Sequence, residues 1–313
     1  HLINFDKVFK FILYLILNQK VKKQCILCKK SEFLEISKQV RDSKKHKIIQ
    51  CKNCEHIQLY PIPSIIEEKI FYDKNLQDKN IKYFGGIKEN REKNFEDTLR
   101  RVSFISKIIS KKNSILEIGS GHGFFLEAME KLQFDIKGIE ISKEKRDMAK
   151  KITKKEILNI NLNNENLESE RYDVMVMFHV LEHLSNPIEF VKKLKSNLNK
   201  NGKFIVEVPN GDDHQLFQNL KYTKFYWQRA HLSYFNPKTL KKVFQKAGYN
   251  VKVFGVQRYS IENLINWKLS GKPQISLPTY NLPQELDWID KYYKTQLEKQ
   301  LKCDTLIAIC EKK

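Results

Sequence analysis

Glu117-x-Gly119-x-Gly121-x-Gly123 is the spacing around which a chemical site can be read. An apolar run, Ile115, Leu116 and Ile118, leads into it, and Phe124, Phe125, Leu126 and Met129 follow at helical spacing. Strand, glycine turn and helix make the phosphate- or carboxylate-binding corner of a nucleotide-binding α/β unit. The glycines let the backbone bend and a ligand approach it, and the helix start offers free N–H groups to an anion. A dinucleotide fingerprint would place a third glycine at 124, where this chain has Phe124. Glu117 would repel a pyrophosphate but suits an ammonium. Downstream, Phe134 to Glu140 reads as a second strand ending in an acid that can accept both ribose hydroxyls of an adenosine; the plainer role for Glu140 is a helix cap. Glu156 to Leu162 reads as a third strand, with Asn161 a candidate for the adenine edge.

Cys25-Ile-Leu-Cys28 and Cys51-Lys-Asn-Cys54 are two knuckles joined by a short lysine-rich segment. Four thiolates at this spacing match a closed, tetrahedral, structural Zn²⁺ ribbon. A redox role would need one such pair at a thioredoxin-like strand–helix junction, and disulfides would suit secretion, whereas reduced thiols fit a cytoplasmic enzyme. His46 and His56 lie nearby but are not needed, and Cys303 and Cys310 stand apart as ordinary buried cysteines. His179-x-x-Glu182-His183 matches an inverted zinc-peptidase motif. That motif needs a helix that puts both histidines on one face, and here it caps a strand beginning at Tyr172. Phe178 and His179 are read instead as lining the cofactor pocket.

As a set, these residues resemble the class I S-adenosylmethionine (SAM) methyltransferases. Glu117 and the three glycines are similar to motif I of that family, whose loop receives the methionine half of the cofactor. The run His179 to Leu184, His-Val-Leu-Glu-His-Leu, resembles a segment of its small-molecule branch. A related family of quinone-pathway O-methyltransferases holds a divalent metal here with Glu-x-x-Glu-His; this chain has His179 in the first place. In the small-molecule branch a His-Leu-Ser-Tyr-Phe segment, His231 to Phe235 here, lies over the methyl donor. That implies His231 as general base, with a structural histidine under the loop as the even alternative. Zinc-bearing deoxysugar C-methyltransferases combine a comparable ribbon and core with Tyr-x-Glu-His; this chain has Gln228, Ala230 and His231 at those places. Arg258-Tyr259, followed by Trp267 and Gly271-Lys272-Pro273, resembles an insertion in methyltransferases of surface-polysaccharide gene sets. It implies a substrate wall in which Arg258 grips a phosphate or carboxylate bidentately, an inter-helix salt bridge being the alternative.

The resemblance implies in-line SN2 transfer of methyl from a sulfonium to a hydroxyl of a sugar or sugar nucleotide. One rival is an RNA methyltransferase that grips RNA with the ribbon, although no Asn-Pro-Pro-Tyr-like motif follows the fourth strand. Another is a protein that keeps SAM as a ligand without turnover.

The elements needed to position these groups alternate strand and helix from 95 to 210. That order predicts a parallel α/β sheet; Tyr249–Val256 reads as strand six and Asp304–Cys310 as strand seven, and the resemblance implies that these two pair antiparallel to finish a Rossmann-like, seven-stranded sheet. An apolar helix over 1–24, the ribbon over 25–60, a linker or cap over 61–94, the SAM-binding core over 95–210 and a lid with the last two strands over 211–313 complete the division. A helix is expected from Phe95 through Ile109. The 313 residues suffice for such a core, and a hydrophobic fraction of 41% excludes wholesale disorder. Net charge is +20, mostly from lysines along the whole chain, which points to solvated faces rather than to nucleic acid. Val8 to Leu17 is too short to span a bilayer, so it is expected to pack on the body or a partner, with membrane-surface contact the lesser role.

Overall fold

The computed structural model describes residues 23–73, 86–162, 165, 167, 170–274 and 282–313. The apolar run at 8–17, the helix expected over 1–24 up to residue 22, and the cap aromatics Tyr83 and Phe84 lie outside the described residues; residues 23 and 24 are described and are not helical. Among the described residues, no helix is long and apolar enough to cross a membrane.

A seven-stranded sheet forms the centre. Its strands are β4 (Ser114–Ile118), β5 (Asp135–Ile139), β6 (Ile157–Leu158), β7 (Tyr172–Phe178), β8 (Leu198–Pro209), β10 (Tyr249–Val256) and β11 (Thr305–Lys312). Their spatial order is β10-β11-β8-β7-β4-β5-β6, with β4 to β8 parallel and β11 antiparallel to both its neighbours. The order reverses beside β4, between β5 and β7, so the crevice beyond their carboxyl ends is where a doubly wound sheet binds its ligand. The third strand is shorter than the expected Glu156–Leu162: only Ile157 and Leu158 pair with β5, at the sheet edge.

Period-2 alternation divides the core between the two faces. Val174, Val176 and Phe178 of β7 join Ile115, Ile205 and Phe125 on one face. Met175 and Met177 join Leu116, Phe204, Val206 and Val208 on the other. The first face is covered by α2 (Ile87–Ser106) and α3 (Phe124–Lys131). Against the second pack α5 (Pro187–Lys193) and α7 (Pro237–Lys246), the latter opened by an Asn236/Thr239 capping box. The helix before the first strand therefore begins at Ile87, eight residues ahead of the expected Phe95, with Gly86 as its N-cap. Its added turns carry Arg91, which pairs with Glu127 of α3 at 2.5 Å; charge pairing extends a helix whose first turns show little apolar periodicity.

The cysteine region is a second sheet, β1 (Phe33–Ser37), β2 (Lys47–Cys51), β3 (Ile57–Tyr60) and β9 (Ser233–Tyr234), in that order. The last strand comes from the His-Leu-Ser-Tyr-Phe segment, some 170 residues downstream, pairing Ile57 with Tyr234 and Gln58 with Ser233. The ribbon thus shares a sheet with the segment expected to lie over the methyl donor. It also shares one hydrophobic cluster with the main sheet, in which Trp227 is fully buried against the rings of Tyr226 and Tyr234. Trp227→Ala should cost about 3–5 kcal/mol in urea-induced unfolding; a loss below about 1 kcal/mol would mean that this junction is not packed core.

Candidate active site at the carboxyl ends of the strands

Gly119, Gly121 and Gly123 all adopt positive φ, +75°, +54° and +79°. The turn is tight: a Cβ on Gly119 would meet Val180 Cγ2 at 2.4 Å, and one on Gly123 would meet Ala149 Cβ at 2.8 Å. At Gly121 nothing lies within 4 Å, so this glycine borders open space. The Gly119 and Ser120 N–H groups donate to the Ile139 carbonyl, which ties the loop to the end of β5.

Glu117 and Glu140 flank that loop. Glu140 follows β5, and its two oxygens accept from Gly121 N and Ser142 N, each at 2.8 Å. It is both a cap on the turn and an acceptor with lone pairs left for ribose hydroxyls. Glu117 is buried, and its Oε2 has no partner. Burial, reinforced by Glu140 and opposed by Arg101, pushes its carboxyl well above the usual range. An orphaned carboxylate oxygen in a dry site is costly, and an ammonium beside it would satisfy it. The residues present therefore fit the methionine end of SAM, with the ribose at Glu140. Asn161 lies three residues beyond β6, its backbone bonded to Glu165.

Arg101 is absent from the sequence reading. The α2 helix brings Asp97, Arg100 and Arg101 over the carboxyl ends of β7 and β8. Arg101 Nη2 donates to Glu207 at 2.6 Å, its guanidinium lies 4.6 Å over the Phe178 ring, and Arg100 Nη2 donates to Glu207 at 3.0 Å. Phe178 itself packs against Phe125, in the core between the sheet and its helices. Both arginines lie inside the helix expected from Phe95, but no motif marks them, since their partner Glu207 is more than a hundred residues away.

His179 has φ +55° and lies between two carboxylates, Nδ1 3.3 Å from Glu182 and Nε2 3.1 Å from Glu207. Burial alone would lower its pKa; the bonds to Glu182 and Glu207 outweigh that and raise it. Arg258, expected to grip substrate, is paired through Nε to Asp97 at 2.9 Å and through Nη2 to the other Asp97 oxygen, and reaches His179 at 3.3 Å. Asp304 accepts from the Arg258 and Tyr259 backbone N–H groups, and the Tyr259 ring is exposed. The salt bridge considered for Arg258 is thus present, beside the pocket rather than away from it.

Glu182, His183 and His231 come together from two segments, their ligand atoms all within 4.8 Å. The imidazoles meet edge to face at 4.9 Å. His183 Nδ1 donates to the Ala230 carbonyl at 2.8 Å, which fixes its tautomer. His231 is pushed down to about 3 by burial, with His183 adding to the effect, so it is a neutral imidazole. Burial would raise the Glu182 carboxyl, but the bond to His179 outweighs it and holds the group down to about 2, and its Oε2 has no partner. A buried carboxylate with a free oxygen beside two neutral imidazoles can accept a proton or hold a divalent cation.

The four cysteine sulfurs also lie within 4.8 Å of one another, with Cys25–Cys54 at 3.4 Å and Cys28–Cys51 at 3.5 Å, all as free thiols. A Zn–S distance near 2.3 Å sets tetrahedral sulfurs about 3.8 Å apart, so the set fits one Zn²⁺. His46 and His56 stay outside it, bonded to Ser43 and Ser233.

A family profile described as a methyltransferase domain matches residues 88–252. The chain is 27% identical over 116 residues to a ubiquinone biosynthesis O-methyltransferase of Coxiella burnetii, covering 35% of this chain and 50% of that protein. It is 32% identical over 96 residues to the mitochondrial one of Candida albicans, covering 26% of this chain and 29% of that protein. It spans about half the length, or less, of these curated relatives. The plantazolicin methyltransferase BpumL, solved with SAH, superposes with TM-score 0.51 at 19% identity, covering 79% of this chain and 93% of that one. That likeness concerns the fold alone. The profile spans more than half of the chain, and the chain belongs to the methyltransferase domain family of class I SAM-dependent folds.

Proposed function

We propose that this protein is a SAM-dependent O-methyltransferase whose acceptor is a hydroxyl of a sugar or sugar nucleotide. The observation that carries the cofactor half is the buried Glu117 oxygen without a partner, beside three positive-φ glycines and Glu140. Oxygen as the nucleophile is supported by the curated relatives, which are O-methyltransferases by name. The sugar is supported by the likeness of the Arg258–Pro273 segment to an insertion in surface-polysaccharide methyltransferases, and by the ribbon and core shared with deoxysugar C-methyltransferases, from which the chain departs at Gln228 and Ala230.

SAM, when bound, supplies an electrophilic methyl on a sulfonium. The chain's part is to hold the methionine ammonium at Glu117 and the ribose at Glu140, and to present the acceptor from the side of His231. His231 is the group placed to accept the hydroxyl proton as the oxygen attacks; burial disfavours its imidazolium, and the Glu182 carboxylate works against that. Glu182 then faces the new imidazolium, and low dielectric strengthens that attraction. A divalent ion held by Glu182, His183 and His231 is a second reading, favoured by the same orphaned Glu182 oxygen; such an ion would lower the acceptor's pKa. The cysteine cluster holds a structural Zn²⁺.

Glu140→Ala should weaken SAH binding at least tenfold by calorimetry, and unchanged affinity would remove Glu140 from the cofactor site. Transfer of labelled methyl from SAM into nucleotide sugars should exceed transfer into RNA, and His231→Ala should cut the rate about 10²–10⁴-fold. Label only in RNA would overturn the acceptor assignment. Full activity after EDTA removes every metal but the cysteine-bound one would discard the second reading. Elemental analysis should find one zinc per chain, lost in Cys54→Ser; metal-free, folded wild-type protein would rule out the structural ion.

A further inference from the structure

One face of the region after β8 carries chemistry that the methyl-transfer site does not use. Past Leu216 the chain enters α6 (Leu220–Tyr226), which lies beside α8 (Ile261–Leu269). Their inner sides pack ring to ring: Trp267 meets Tyr222 at 5.3 Å and Phe225 at 5.2 Å. The same two segments are joined at a second place, where Lys268 Nζ donates to the Gln218 carbonyl at 3.3 Å and the Lys221 side chain lies against Gly271. Phe217, Leu220 and Leu269 each stand next in sequence to one of these joined residues, yet they are 71%, 70% and 62% exposed. Single exposed apolar side chains are ordinary, but three large ones on adjoining segments make a patch.

Charge on these segments is almost all of one sign. Lys221, Lys224, Lys268 and Lys272 are all exposed. Between Asp213 and Glu285 the chain holds eleven lysines and arginines and a single acid, Glu262. That acid is already engaged, accepting from Gln274 Nε2 and from the Leu282 N–H. Upstream, Asp213 is buried and Asp212 faces Lys302 at 3.6 Å. Projecting apolar tips among lysines fit the boundary between lipid headgroups and acyl chains. The tips enter the acyl region, the lysine stems lie along it, and the ammonium groups meet lipid phosphates. A protein partner fits less well, because lysine is depleted in the cores of protein interfaces. A nucleic acid would meet the lysines but leave the two leucines without an apolar partner.

We propose that the α6–α8 face is a docking surface for an anionic lipid bilayer, with Phe217, Leu220 and Leu269 inserted and the four lysines on lipid phosphates. The same stretch of chain continues through Trp227 into the segment that carries His231, so docking and the acceptor side share one support. The contact does not depend on which acceptor is methylated: it is read by vesicle binding, and the acceptor by methyl transfer.

The full chain should sediment with vesicles of phosphatidylglycerol in phosphatidylcholine, and bind phosphatidylcholine vesicles about tenfold more weakly or less. Phe217→Ser/Leu220→Ser should weaken binding to the anionic vesicles about tenfold. Lys221→Glu/Lys224→Glu should weaken it at least as much, since each lysine near such a surface contributes about fivefold. Both double variants should keep wild-type affinity for SAH, which shows that they fold. In Phe217→Trp the added fluorescence should be quenched by vesicles with brominated acyl chains, and this reports insertion even if the serine pair does not fold. Equal binding to neutral and anionic vesicles would overturn the proposal, as would no binding, or binding unchanged in both double variants. Loss in the lysine variant alone, with no quenching at position 217, would mark a general polyanion contact such as nucleic acid and would equally overturn it.

Discussion

Burial of negative charge at one edge of the sheet is the constraint on which the site depends. Glu117, Glu140, Glu182 and Glu207 all lie at or just past the carboxyl ends of parallel strands, and all four are buried. An ionised carboxylate cannot stay in such a place without compensation. Glu207 is met by Arg100, Arg101 and His179. Glu140 takes two backbone N–H groups from the glycine turn and the next helix start. Glu182 and Glu117 each retain an oxygen without a partner. One of these two incompletely satisfied acids lies beside the glycine turn and the other beside His183 and His231.

The helix before the first strand follows from the same constraint. Its apolar face covers the sheet through Ile105, while Asp97, Arg100 and Arg101 extend past the strand ends, where they offset Glu207 and engage Arg258. Arg258, in turn, is anchored from behind by Asp304 at the start of the last strand pair. An ion network that would contribute little on the surface has more effect here because it is shielded from solvent and has two-sided hydrogen bonding.

The ribbon enters this arrangement as a structural partner. β3 and β9 share hydrogen bonds, Leu59 N–H donates to Leu232, and Leu232 N–H donates to the Glu182 carbonyl. The backbone path from the cysteine sheet to the strand-end loop is therefore continuous through the segment that carries His231. A Zn²⁺ held by the four cysteines would make a rigid support for such a path, because four ligands would remove the freedom of two knuckles at once.

The fold was largely legible in the chain. Period-2 and period-3.6 patterns, turn glycines and the Asn236-Pro237 cap are local properties, and local properties survive into three dimensions. The glycine loop, Glu140 and the cysteine knuckles were legible for a similar reason: fixed spacing along the chain translates directly into fixed geometry. Asp97, Arg100 and Arg101 were not legible, since each acts across a gap of many residues and no spacing links it to its partner. Arg258 reads in sequence as a free substrate grip, and only the approach of Asp97 from a distant helix gives it a carboxylate. By itself, the sequence determined the sheet, the glycine corner and the four-cysteine cluster, because strand, turn and knuckle are made by neighbours. Tertiary structure alone decided that the cysteine ribbon borders the His231 segment and which buried acids keep a free oxygen, because packing between remote segments sets what each polar atom meets.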